Sequence, residues 1–279
     1  PGKSRIILNA DDPRVLAMKE DARAPVVLFS LHPDSDAVKS HLSEGGTVFT
    51  IEGTSLVLRD GASPSAPIVK VFEVPITLGG KALYNVSNAL AAAAAGHALL
   101  GLNIEDLRTG LSTFNPSIGQ SPGRLNLFEV AGVDYLIDYA HNVPAFVALN
   151  QVVASLSEKR LQEHRRIGVV SGTGNRMDED IIRLGETAAR IYTDLIIKDS
   201  DPRDRPLGET AEIMRTAALG AGIPEERLRV ILNEQEAIEA AFALAVPGDI
   251  VVIQPDDIHG TIRMLLEHKE ERESLTLFR

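Results

Sequence analysis

The sequence predicts an α/β protein. Its C-terminal part reads as a doubly wound, Rossmann-like parallel sheet, preceded by a partial α/β domain that carries an antiparallel β insertion. Three observations predict this. Beyond about residue 124, short apolar runs alternate with helical stretches, as parallel βαβ units require. Between residues 47 and 77 the pattern changes to short β-rich runs broken by Gly53, Gly61 and a Ser/Pro stretch, which reads as hairpins. Between the two lies Asn115-Pro-Ser-Ile-Gly-Gln-Ser-Pro-Gly123, rich in turn formers, and the expected domains are residues 1–119 and 120–279.

Taken in order, residues 5–8 form a short apolar run closed by the turn cluster Asn9-Ala-Asp-Asp-Pro13, the end of a buried parallel strand. Residues 26–30 supply a second strand, and runs at 47–51, 55–58 and 68–72 form the insertion. An alanine-rich stretch from Tyr84 to His97 has high helix propensity and lets neighbours approach closely. A second helix is expected at 104–111. In the C-terminal domain, strands are expected at 135–138, 167–170, 195–198, 229–232 and 250–253. Helices are expected at 144–156, 179–192, 208–219, 234–244 and 258–268.

Composition excludes several classes of function. The chain has 279 residues, enough for two cores, and its 44% apolar and 24% charged content is that of an ordinary globular protein. No apolar run approaches the roughly 18 residues that span a bilayer, so no membrane contact is expected. A net charge of −11 argues against nucleic-acid binding, which needs clustered cations. The absence of cysteine removes disulfides and thiolate metal sites, and a cytoplasmic location is expected. Because Pro1 replaces an initiator Met and strand-like sequence begins at Arg5, the chain reads as a piece of a longer polypeptide.

Ligands of an open parallel sheet bind beyond the carboxyl ends of its strands. Four polar segments fall there: Asp138-Tyr-Ala-His141-Asn142, Ser171-Gly-Thr-Gly-Asn-Arg176-Met-Asp178, Lys198-Asp-Ser-Asp-Pro-Arg203-Asp-Arg205, and Gln254-Pro-Asp-Asp-Ile-His259. Asp138 ends an apolar strand, where an unpaired carboxylate is costly, and is read as a ligand contact. Asn142 and Asp178 are read either as helix N-caps or as ligand contacts. His141 lacks a partnered nucleophile and is read as a positioning or stacking residue, not a base. Gly172, Gly174 and Arg176 form a candidate phosphate loop that fits neither nucleotide fingerprint. The charges between Lys198 and Arg205 either pair with one another or hold a zwitterionic substrate.

The ordered motifs resemble the Mur-ligase-type ATP-dependent ligases, which include the peptidoglycan peptide ligases and folylpolyglutamate synthetase. Those motifs are Asn9-Ala-Asp-Asp-Pro13, Asn85-x-x-Asn88-Ala-Leu-Ala-Ala, Pro122-Gly-Arg124 and Asp138-Tyr-Ala-His141-Asn142, and they run through essentially the whole chain. The segments Gln120–Phe128, Gly172–Asp180 and the run through Arg205-Pro206 are similar to one branch, whose Mur-like half adds arginine to aspartate side chains of a polymer. Pro255-Asp-Asp-Ile-His259 departs from the Lys-Gly-His-Glu of the peptidoglycan ligases, which disfavours a cell-wall substrate.

The resemblance implies ATP as cofactor, with Asn88 at the adenine, Arg124 near the phosphates, Asp138 on the ribose and His141 beside the nucleotide. It implies arginine and an aspartate polymer as substrates, with Asp201 and Arg203 on the incoming amino acid. The expected guanidinium partners are Asp199, Asp201 and Asp256, and Arg203 is expected on the α-carboxylate. The family's P-loop and magnesium ligands lie upstream of the Asn-Ala-Asp-Asp element, so no metal site is expected in this chain, which should be catalytically incomplete alone. The alternative is a non-catalytic nucleotide-binding or interaction domain, and a homo-oligomer remains open.

Overall fold

A computed structural model describes residues 4–158, 160 and 162–276, with side chains described to residue 274. It divides into two compact units, 1–115 and 116–279. The division falls upstream of the expected 119/120 boundary because Asn126, buried in the second unit, binds the preceding segment: its Nδ2 donates to the Pro116 and Ser121 carbonyls at 3.1 and 3.0 Å.

The first unit holds a five-stranded sheet in sequential order: β1 (Ile6–Asn9), β2 (Val26–Phe29), β3 (Thr47–Glu52), β4 (Ser55–Asp60) and β5 (Ala66–Lys70). β1, β2 and β3 are parallel, whereas β3, β4 and β5 are antiparallel. β3 therefore belongs to both halves, a departure from the expected all-antiparallel insertion. β5 ends before Val71 because Val71–Glu73 turns into a 3₁₀ helix, where the expected strand had run on to Phe72.

Two helices missing from the sequence reading, α1 (Pro13–Ala17) and α2 (Asp36–Ser43), are capped by Asp12 and Ser35. α2 covers one face of the sheet, with Val38 and Leu42 against Leu8, Leu28 and Val48. The other face packs on α3 (Leu83–Leu100) and α4 (Ile104–Thr113), through Val86, Leu90, Ala93 and Leu107 against Val27, Phe49, Leu56 and Ile68.

The second unit opens on β6 (Asn126–Val130), which pairs antiparallel with β7 (Val133–Ile137) through a tight turn at Ala131-Gly132, both at positive φ. β6 was not anticipated as a strand, because its alternating burial gives no continuous apolar run. The series then proceeds through α5 (Val143–Ser157), β8 (Arg166–Ser171), α6 (Asp178–Ile191), β9 (Asp194–Lys198), α7 (Glu209–Gly220), β10 (Leu228–Val230), α8 (Glu234–Leu244), β11 (Ile250–Ile253) and α9 (Ile258–Thr276).

The strand order is β10-β9-β8-β11-β7-β6, parallel except for β6. Tyr135, Ile167, Ile196 and Val251 pack with Ala237, Ile238 and Leu265 of α8 and α9 on one face. α5 carries Phe146, Leu149 and Val153, buried, and α6 and α7 carry Ile181, Leu184 and Met214. β11 inserts between β7 and β8, so the chain order reverses there. This is where a doubly wound sheet opens a crevice beyond its strand ends.

Candidate functional site

In the second unit the Pro-Gly-Arg and Asp-Tyr-Ala-His segments meet. Gly123 adopts φ +71°, and a β-carbon there would lie 2.8 Å from Ile258, so both backbone and space demand glycine. Asn126 fixes the loop, its Oδ1 accepting from the Gly123 amide at 2.7 Å. The Gly123 carbonyl in turn accepts from Tyr139 N at 2.9 Å. Arg124 is thereby set with its guanidinium 5.4 Å from the Tyr139 ring centroid, and the His141 ring lies 5.2 Å beyond in a tilted pair. Asn126 and Tyr139 were not singled out from sequence, although each lies within two positions of a residue that was.

Asp138, at the end of β7, accepts from the Leu125 amide at 2.9 Å. Burial pushes its carboxyl pKa up, against the lowering effect of the Leu125 amide, Arg124 and the Ala140 amide. A carboxylate offers about four acceptor positions, so capacity remains for further donors. A cation stacked on an aromatic ring stands beside it. His141 Nδ1 is bonded to the Tyr139 carbonyl at 3.0 Å. With Asn142, Thr173, Arg176 and Asp180 it lines a cleft of about 260 Å³. Asn142 caps α5, its Oδ1 accepting from Ala145 N at 2.9 Å. Asp178 is not a cap: Met177 takes that position, and Asp178 pairs with Arg205 at 2.7 Å.

The other strand ends are internally paired. Lys198, fully buried at the end of β9, places Nζ 2.9 Å from Glu234 and 2.5 Å from Asp256. Glu234 accepts from the Asp256 and Asp257 amides at 2.9 and 3.0 Å, and these donors with Lys198 outweigh burial and hold its carboxyl below the ordinary glutamate range. Glu234 escaped the sequence reading because it opens a helix after Asn233, where a carboxylate is unremarkable. Asp256 also accepts from Ser200 Oγ at 2.8 Å, and both border a cavity of about 400 Å³ with Asp257 and Thr261.

The loop after β9 carries three of the expected substrate contacts. Asp199 is wholly buried and its Oδ2 accepts from the Gly208 amide at 2.7 Å, while its Oδ1 has no hydrogen-bond partner among the described residues. Asp201 and Arg203 are exposed and pair with each other at 2.9 Å. Gly174 owes its identity to a neighbour: a β-carbon there would stand 1.9 Å from the Pro202 carbonyl oxygen. Gly172 likewise packs on Ile181 and Thr210. The glycines of this loop are thus accounted for without a phosphate.

Asn88 belongs to the first unit. It is exposed on α3, donates to Asn85 Oδ1 at 3.1 Å, and stands on the wall of an apolar cavity of about 410 Å³ with Ala92, Leu107, Leu111 and Phe114. Among the described residues no cluster of three or more His, Asp or Glu is arranged for a metal, and no helix is long and apolar enough to cross a membrane.

Residues 123–256 match the family model described as Mur ligase, glutamate ligase domain. The matched region lies within the second unit. The chain is also 36% identical over 260 residues to the cyanophycin synthetase of Trichormus variabilis, covering 93% of this chain but 28% of that protein. Two solved Mur-type structures share the fold over nearly the whole chain. A murein peptide ligase from Psychrobacter arcticus aligns with TM-score 0.62 at 18% identity, over 96% of this chain and 52% of that one. Folylpolyglutamate synthase of Mycobacterium tuberculosis, complexed with ADP, aligns with TM-score 0.60 at 20% identity, over 94% and 63%. The Mur fold accounts for both units, with the antiparallel strands β4 and β5 set in the first.

Proposed function

We propose that this chain is part of an ATP-dependent, amide-bond-forming ligase of the cyanophycin synthetase type, in the Mur-like half that adds arginine to aspartate side chains. The observation that carries the reading is Asp138, a carboxylate at a strand end with acceptor capacity left over, flanked by Arg124, Tyr139 and His141. In this reading Asp138 accepts the ribose hydroxyls, Arg124 neutralises phosphate charge, and Tyr139 and His141 flank the nucleoside. ATP with magnesium, when bound, supplies the phosphoryl group that turns the aspartate carboxylate into an acyl phosphate. An amine then displaces phosphate and leaves the amide. What the chain contributes is orientation and charge neutralisation, which such a transfer needs more than a strong base.

On the same reading, Asp201, Arg203 and Asp256 hold the incoming amino acid, and the P-loop and magnesium ligands come from elsewhere in the enzyme. The chain by itself would then not turn over ATP. The name of the Trichormus relative and the ADP bound to the folylpolyglutamate synthase support the substrate and nucleotide assignments. The test supplies the complete enzyme with ATP, an aspartate polymer and single amino acids, and follows phosphate release and polymer mass. Phosphate release with arginine, coupled to a mass gain of one arginine residue per turnover, is expected. Incorporation of another amino acid would overturn the arginine assignment, and ATP binding without turnover would favour a non-catalytic nucleotide-binding domain.

A further inference from the structure

The loops after β8 and β9 come from different βαβ units, yet their backbones are in contact. Gly174 lies against the Pro202 carbonyl, with no room for even a methyl group between them. One side chain closes this contact. Arg205 Nε donates to the Gly174 carbonyl at 3.0 Å and Nη2 donates to the Arg176 carbonyl at 2.7 Å. Nη1 pairs with Asp178 at 2.7 Å and with Glu209 at 2.9 Å. All three guanidinium nitrogens are therefore engaged, on the 172–177 loop and at the starts of two helices. A planar fork meets such a set of acceptors at fixed angles, as an ammonium cannot.

What the contact sets is the spacing of two other cations. Arg176 is exposed on the first loop and has no ion-pair partner among the described residues. Arg203 is exposed on the second, held at φ +54° next to the clamped Pro202. We propose that Arg205 is a positioning residue for the amino-acid substrate: it fastens the 172–177 loop to the 199–208 loop and so fixes Arg176 and Arg203 relative to each other. The inference rests on the reading that the amino acid binds at this sheet edge. Arg205 itself stays off the substrate, because each of its three nitrogens is already held within the fold.

Arg205→Lys in the complete enzyme tests the inference, since it keeps a positive charge beside Asp178 and Glu209 but loses the fork. The KM for the amino acid should rise about fivefold to tenfold while that for ATP moves less than about twofold, the split a misplaced substrate contact produces. Gly174→Ala, which forces the loops apart, should give the same split. The double variant should be no worse than the more impaired single one, because both changes break one contact. Amide exchange at 174–176 should quicken in Arg205→Lys with the rest of the second unit unchanged.

An unchanged amino-acid KM in a variant whose loop exchange has quickened would overturn the positioning role and leave the proposed function standing. Parallel rises for both substrates would overturn it too, by making Arg205 a general structural residue. A wild-type enzyme that incorporates no amino acid would overturn the functional reading first, and this inference with it.

Discussion

Two strand-end regions of one sheet are built on opposite plans. Around Asp138 the polar groups are under-used: a carboxylate with acceptor capacity left, an exposed guanidinium over a tyrosine ring, and an imidazole with one nitrogen committed to backbone. Around Lys198 the charges answer one another, a buried ammonium facing two carboxylates that are further bonded to amides and hydroxyls. Unspent hydrogen-bonding capacity at a strand end is what a ligand can use, whereas a closed network specifies shape. The first region should therefore govern binding with little effect on folding, and the second should govern folding first, with the part-exposed Asp256 reaching the cavity at its edge.

The sharpest way to break the comparison is to remove the buried cation. Lys198→Met leaves Glu234 and Asp256 facing each other without compensation, and should cost about 3–5 kcal/mol of stability in chemical denaturation at neutral pH. The pH dependence should also reverse. In the wild type the Glu234 pKa is depressed, so its contribution is present above the ordinary glutamate value and lost as the pH falls through the depressed one. Without Lys198, burial dominates and raises that pKa, so the variant should gain stability relative to wild type as the pH falls toward about 4. A neutral-pH loss below about 1 kcal/mol would show that the network is not a folding element.

A middle-sized effect is expected from the exposed loop. Arg203→Ala should raise the KM for arginine at least about tenfold with that for ATP nearly unchanged, while melting stays within about 1 kcal/mol of wild type, because the Asp201–Arg203 pair it breaks is exposed. Equal losses for both substrates would assign Arg203 to structure. No loss for either would move the amino-acid site to another part of the sheet edge.

The parallel core of the second unit was legible because its strands are continuous β-branched and leucine runs buried on both faces, as at 195–197 and 250–253. β6 was not, since Asn126-Leu-Phe-Glu-Val130 alternates and owes its place to pairing with β7. The motif residues Arg124, Asp138 and His141 do converge. Their supports were hidden: Asn126 acts by bonding backbone that is remote until the loop folds, and Glu234 by accepting amides from the far side of β11. The burial of Asp199 was not legible, because spacing cannot tell a carboxylate that faces solvent from one that turns inward to its own loop.

The smallest effect separates binding from folding most cleanly. Asp138→Asn keeps an acceptor for the Leu125 amide but removes the charge. Burial raises the Asp138 pKa in the folded state, so the ionised group costs stability at neutral pH, and that cost disappears as the pH falls through the raised value. The asparagine variant should therefore be at least as stable as wild type at pH 7, with its advantage vanishing on acidification. Binding should move the other way. If Asp138 accepts a ribose hydroxyl, each lost bond is worth about 0.5–1.5 kcal/mol, which corresponds to a rise of about twofold to tenfold in the KM for ATP. Melting curves across pH, run beside ATP kinetics in the complete enzyme, read both quantities from the same protein. A variant that melts lower at pH 7 and binds ATP normally would make Asp138 a brace for the Leu125 loop, and the contrast between the two strand-end regions would collapse.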